Sequence, residues 1–212
     1  MTNNIHVTSE IGTLKRLLVH RPNGGIGKID PGIMEQLLYD DIVFLDKMRE
    51  EYQQYLEVLL WFLDPDKIKN SPKDKESKSY FDYFTPFKKE YHGSDKVIDV
   101  ASLLVKILSH DRIKNQLVAA ICATEKCNLS VQEKLLTLEL PHLAQVLVTG
   151  VLAEGDEEKF LFRPIPNFIF TRDIGITVKD HILLSRFAED ARSREAILMK
   201  YVSFYGLMGE EI

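Results

Sequence analysis

Two short clusters of polar side chains carry the chemistry that this sequence offers. The first is Asn167-Phe168-Ile169-Phe170-Thr171-Arg172-Asp173, where an apolar run gives way to a charged end. Binding and catalytic side chains are often presented where a rigid strand becomes a loop, and a carboxylate such as Asp173 can be held there by local hydrogen bonds. The competing reading is a surface Arg172–Asp173 pair, which would contribute little. The second cluster is Ala191-Arg192-Ser193-Arg194-Glu195, at the start of the last helical stretch. Cations are disfavoured at a helix N-terminus, so arginines there point to a task for Arg192.

The other reactive residues are less promising. Cys122 and Cys127 are the only cysteines, and their spacing fits neither redox nor zinc Cys-x-x-Cys motifs. The histidines (His6, His20, His92, His110, His142 and His181) are scattered, so no metal site is expected and the thiols read as structural. Asp40 and Asp41 are adjacent, and adjacent side chains diverge, so helix capping and salt links explain them better than a paired-carboxylate acid/base site. Gly24-Gly25-Ile26-Gly27 lacks the Lys-Ser/Thr pair of a phosphate loop and reads as a turn. No cofactor is implied.

The elements that must position these residues alternate in type. Leu17-Leu18-Val19 reads as a strand, punctuated afterwards by Pro22 and three glycines. A short helix is predicted from Pro31 to Leu38 with Asp30 as its cap. A longer helix spans 43–63, where Leu45, Met48, Tyr52, Leu56 and Leu59 recur at helical spacing until Pro65. Residues 71–79 read as a loop. The rings of Tyr80, Phe81, Tyr83, Phe84, Phe87 and Tyr91 then belong to a long connection that packs onto helices. A single-stranded nucleic-acid surface is the weaker reading, because Asp74, Glu76, Asp82 and Glu90 dilute the lysines.

Short amphipathic helices are predicted at 97–109, 113–124, 130–138 and 143–152, with Asp111 and Ser130 as caps. Strands follow at 160–162 and 167–170, then a hairpin of 174–178 with 182–184, then a helix over 193–204. The chain thus divides into a first α/β segment (1–66), a polar and aromatic connection (67–95), a helical module (96–152) and a second α/β segment (153–212).

Composition sets the outer limits. Hydrophobic residues make up 45% and charged residues 28%, which excludes collagen-like, mucin-like and wholly disordered chains. No apolar run approaches the roughly 18–20 residues that cross a bilayer, so no membrane partner is expected. Met1-Thr2-Asn3-Asn4-Ile5-His6 has no secretory character, and two cysteines suit a reducing, cytoplasmic location. A net charge of −5 argues against a nucleic-acid partner.

Taken in order, four stretches strongly resemble the arginine deiminases of the guanidino-group-modifying (amidinotransferase, pentein) superfamily. They are Val7-Thr8-Ser9-Glu10-Ile11-Gly12-Thr13-Leu14-Lys15-Arg16-Leu17-Leu18-Val19-His20-Arg21-Pro22, then Leu37-Leu38-Tyr39-Asp40-Asp41-Ile42, then Pro166 to Asp173, then Ala191 to Glu195. The resemblance runs from Ile5 to about Tyr201. It implies an α/β fold: part of a pentein α/β propeller of ββαβ modules, with an inserted helical domain. It also implies hydrolysis of L-arginine, or a related guanidino compound, to L-citrulline and ammonia through a cysteine-bound covalent intermediate. By resemblance, Asp173 is the catalytic carboxylate that grips two N–H groups of the planar guanidinium and fixes it for attack. Arg192 and Asn167 match positions that hold the substrate α-carboxylate, and Leu38 and Phe170 match those lining its apolar stem.

The same resemblance brings a shortfall. The family's nucleophilic cysteine lies near its C-terminus and its acid/base histidine in a later module, whereas this sequence stops at Ile212. Cys122 and Cys127 match neither. An N-terminal fragment carrying the substrate-binding part of the site is therefore expected. The alternatives are a non-catalytic guanidino-binding paralogue and a helical protein-interaction module. An incomplete propeller exposes strand edges and apolar faces, so a homo-oligomer is expected too.

Overall fold

The computed structural model describes residues 5–28, 32, 41, 43–155, 157–188 and 190–209. Apart from Gly32, the expected helix from Pro31 to Leu38, and with it the candidate Leu38, lies outside them, as does Asp40.

Strand β1 (Leu17–Val19) forms where the sequence suggests and pairs in parallel with β2 (Val97–Asp99), Leu18 lying opposite Ile98. The helix expected from Val97 therefore starts three residues later, as α4 (Val100–Leu108). Val97 and Ile98 are β-branched and suit a pleated strand. Asp99 ends the strand and caps the helix, its carboxylate accepting from the Ala101 amide at 2.7 Å.

A parallel pair needs a long crossover, and helices supply it here. Helix α1 (Leu45–Leu63) buries Tyr52, Gln53, Leu56 and Leu60 on one stripe. Pro65 stops it by opening α2 (Pro65–Lys69), where a missing N–H is tolerated. The connection then contains a further helix, α3 (Lys78–Phe84), capped by Ser77. Its Tyr80, Tyr83 and Phe84 rings join Val19, Leu56, Leu60 and Val97 in one small core.

Helices α5 (Asp111–Thr124), α6 (Leu129–Leu136) and α7 (Leu140–Thr149) follow. Asn128, not Ser130, caps α6, accepting from the Val131 amide at 3.0 Å. Asp111 lies inside the first turn of α5 rather than at its cap. Helix α7 stops at Thr149, short of the expected Leu152, because Gly150 adopts φ 78°. A Cβ at Gly150 would stand 2.5 Å from the Phe162 carbonyl oxygen, so only glycine fits. The chain reverses there into β3 (Val151–Glu154), antiparallel to β4 (Glu157–Phe160).

The strand expected at 167–170 is instead a 3-10 turn, Pro166–Ile169, followed by the single-turn helix α8 (Thr171–Ile174). Pro166 fixes φ near the helical value and removes a donor that a ladder would need. The expected hairpin forms from β5 (Gly175–Val178) and β6 (His181–Leu184), and α9 (Ser193–Tyr201) follows, running on as a π-helical turn over Val202–Leu207. A larger core gathers Leu104, Leu117, Leu147, Phe168, Ile174 and Leu198. Each such side chain contributes about 1.5–3 kcal/mol on burial.

The architecture is mixed α/β. Among the described residues the sheets are two-stranded and close into no barrel. No described helix is long and apolar enough to cross a membrane.

Candidate functional site

The turn that carries Asp173 is held on several sides. The Phe170 amide donates to the Asn167 carbonyl at 3.0 Å, and the Asp173 amide to the Phe170 carbonyl at 3.1 Å. The Ser185 hydroxyl donates to the Asp173 carbonyl at 2.5 Å, and the Thr171 hydroxyl to the Leu18 carbonyl at 3.0 Å. Beneath the turn, the His20 ring packs 4.9 Å from the Phe168 ring. Burial lowers the His20 imidazole to about 3, so it is neutral and its Nε2 meets the Asn23 amide nitrogen at 2.8 Å. A fixed backbone thus presents a side chain that is itself open: the Asp173 carboxylate is 56% exposed.

Arg192 reaches this carboxylate from the start of α9. Its Nη1 lies 3.8 Å from Asp173 Oδ2. Its Nε donates to Glu195 Oε2 at 2.9 Å, and its Nη2 lies 2.8 Å from the same oxygen. The guanidinium carbon sits 3.9 Å over the Phe187 ring, a cation–π contact. Glu195 is 1% exposed, and burial raises its carboxyl from 4.5 to about 7 against the pull of Arg192 and Arg194.

The neighbouring arginines do other work. Arg172 turns away from Asp173 and pairs with Glu10 at 2.9 Å, so the surface Arg172–Asp173 pair gives way to the Asp173–Arg192 contact. Arg194 is fully buried; it donates to Glu125 Oε1 at 2.6 Å and to the Arg163 carbonyl at 2.5 Å. It ties α9 to α5 rather than entering the site.

The candidate residues are therefore distributed unevenly. Asp173 and Arg192 come together. Asn167 is buried at the base of the turn, and Phe170 is 50% exposed ahead of Asp173. Leu38 lies outside the described residues. Glu195 and Phe187 were not singled out from the sequence. The three-residue spacing of Arg192 and Glu195 is a helical contact spacing that signals their pairing. Phe187 carries no such signal, because only the fold brings its ring beneath Arg192.

The Asp173–Arg192 contact is longer than a hydrogen bond, so both groups keep capacity for a ligand. A carboxylate accepts a guanidinium fork, and a guanidinium edge holds a carboxylate. A separate cleft of about 650 Å³ opens beyond the carboxyl ends of β1 and β2, bordered by His20, Arg21, Arg49, Phe87 and Asp99. Neither Asp173 nor Arg192 borders it, so the paired charges rather than the cleft define the candidate site. Among the described residues no three His, Cys, Asp or Glu side chains are grouped to hold a metal. Cys122 is buried, and that burial pushes its thiol up to about 12.

The family model described as arginine deiminase matches residues 96–205. An arginine deiminase of Streptococcus gordonii is 29% identical, the match covering 96% of this chain and 48% of that protein. Those of Streptococcus uberis and Latilactobacillus sakei subsp. sakei are 28% and 29% identical, covering 95% of this chain and 48% and 46% of theirs. The chain spans about half the length of the curated relatives it matches.

Proposed function

The chain belongs to the arginine deiminase family, and from that premise we propose that its Asp173–Arg192 site binds L-arginine for hydrolysis to L-citrulline and ammonia. One observation carries this reading: Arg192 Nη1 stands 3.8 Å from Asp173 Oδ2 while the opposite edge of the guanidinium is engaged by Glu195. A carboxylate is the natural partner of a guanidinium and a guanidinium that of a carboxylate, so the two side chains supply one partner for each charged end of a guanidino amino acid.

The roles follow from the chemistry. The guanidinium carbon of arginine is a poor electrophile because its charge is delocalised. Asp173 grips two of its N–H groups and fixes the plane for attack. Arg192 and Asn167 hold the α-carboxylate, and Phe170 and Leu38 line the apolar stem. Cleavage of the C–N bond requires a thiolate that forms a covalent adduct, expels ammonia and is released by water. Cys122, held as a buried thiol, is unsuited to that step. On this reading the 212 residues supply the substrate-binding part of a pentein α/β propeller, with 96–152 as the inserted helical domain, and neither of their two thiols matches the family's nucleophile. Exposed apolar side chains on α1, Phe62 and Trp61 among them, support a homo-oligomer. The free thiols of Cys122 and Cys127 support a cytoplasmic location.

Incubating the chain with L-arginine tests the proposal through two readouts, ligand binding and citrulline release. Binding without citrulline is expected. Citrulline formation would contradict the account of the thiols, and an absence of binding would overturn the assignment of the site.

A further inference from the structure

We infer that Glu195 is a positioning residue which, together with the Phe187 ring, aims one edge of the Arg192 guanidinium at the carboxylate of the ligand. The inference rests on the reading of Arg192 as the carboxylate-binding residue and extends it to groups that touch no ligand.

The geometry is directional. A guanidinium is a planar fork, and its use depends on which edge is left open. Here Glu195 Oε2 accepts from Nε at 2.9 Å and lies in ion-pair contact with Nη2 at 2.8 Å, and Phe187 covers one face at 3.9 Å. What remains is the Nη1 side, which points toward Asp173. A long side chain that would otherwise sample many rotamers is thus held in one.

Burial argues that this carboxylate has a purpose beyond packing. A buried carboxylate is unfavourable unless it is paired, and an apolar side chain of similar volume would fill the space at less expense. Glu195 is 1% exposed and its Oε1 accepts no hydrogen bond, so Arg192 is its principal partner. Arg194 directs both terminal nitrogens elsewhere, to Glu125 and the Arg163 carbonyl. Asp173 faces Arg192 from the other side, its Oδ2 3.8 Å from Nη1.

Comparing L-arginine with agmatine, which lacks the carboxylate, separates positioning from structural support. Calorimetric titration at about pH 8 is made on the full 212-residue chain and on Glu195→Gln, which keeps the shape and removes the charge. The variant is expected to bind L-arginine about tenfold more weakly, with agmatine affinity changed by less than about twofold. Glu195→Asp, which retains the charge, is expected to keep more of the preference for L-arginine than Glu195→Gln. Equal losses for both ligands, or no loss for either, would overturn the inference while leaving Arg192 in its role. A wild-type chain that binds the two ligands equally, or neither, would remove the reading of Arg192 and the inference with it. If Glu195→Gln fails to fold by circular dichroism, Phe187→Leu is titrated in its place; an unchanged preference there counts against the inference in the same way.

Discussion

The Thr171 hydroxyl donates to the Leu18 carbonyl at 3.0 Å and so joins the Asp173 turn to a strand 153 residues earlier in the chain. Neither partner is charged, and neither is a candidate for chemistry. Their bond is one of those that hold α8, and with it the carboxylate, in place.

Thr171→Val is nearly isosteric and deletes that bond. A net loss of about 1 kcal/mol is expected, with the Leu18 carbonyl left without this donor. Thermal unfolding reads the loss, and arginine affinity should fall with it. A variant with unchanged melting and binding would show that the turn is fixed by other contacts.

Buried and exposed ion pairs in this molecule should differ sharply when broken. Arg194 is fully buried against Glu125 and the Arg163 carbonyl, so Arg194→Ala is expected to destabilise by about 3–5 kcal/mol. Arg172 pairs with Glu10 at an exposed site, so Arg172→Ala is expected to change stability by less than about 1 kcal/mol. Urea unfolding of the two variants measures both, and comparable losses would contradict this ranking.

The raised carboxyl of Glu195 makes a signed prediction about pH. Burial moves it from 4.5 to about 7, so the folded chain holds this proton more tightly than the unfolded chain does. Its favourable contribution is complete below about 4.5 and is lost as pH rises through about 7. Relative to wild type, Glu195→Gln should therefore gain stability between about pH 5 and pH 8, by about 1.4 kcal/mol per unit of displacement. His20 acts with the opposite sign. Its imidazole is lowered from 6.5 to about 3, so it removes stability as pH falls below 6.5. Unfolding curves at the two pH values check the Glu195 difference, and a constant offset between variant and wild type would refute it.

The outer face of α1 carries Tyr55, Val58, Trp61 and Phe62, of which Phe62 is 79% exposed. Self-association at micromolar concentration is expected, reduced by the paired substitutions Trp61→Ser and Phe62→Ser. Light scattering gives the mass directly. A wild-type monomer at that concentration would contradict the expectation.

Much of this was legible in the residues themselves. The alternation of Ile174, Ile176 and Val178 before Ile182-Leu183-Leu184 announces the hairpin, and the 3.6-residue recurrence of Tyr52, Leu56 and Leu59 announces α1. Phe168-Ile169-Phe170 is less decisive. A short apolar run fits a strand or a turn of helix equally, and Pro166 tips it toward the 3-10 turn. Val97-Ile98-Asp99 becomes a strand only because β1 lies beside it, a pairing between segments far apart in sequence. At the site, residue types and order point to Asp173 and Arg192. The Glu195 contact follows from helical spacing, whereas Phe187 depends on the path of a loop and has no local signature.

Asp173 is proposed to grip the guanidinium of a bound arginine. Calorimetric titration of L-arginine into the wild-type chain and into Asp173→Asn tests it most directly, because the substitution removes charge and leaves shape. Saturable binding by the wild type, weakened about tenfold or more in the variant, is the predicted result. Equal affinity in the two proteins would contradict the account.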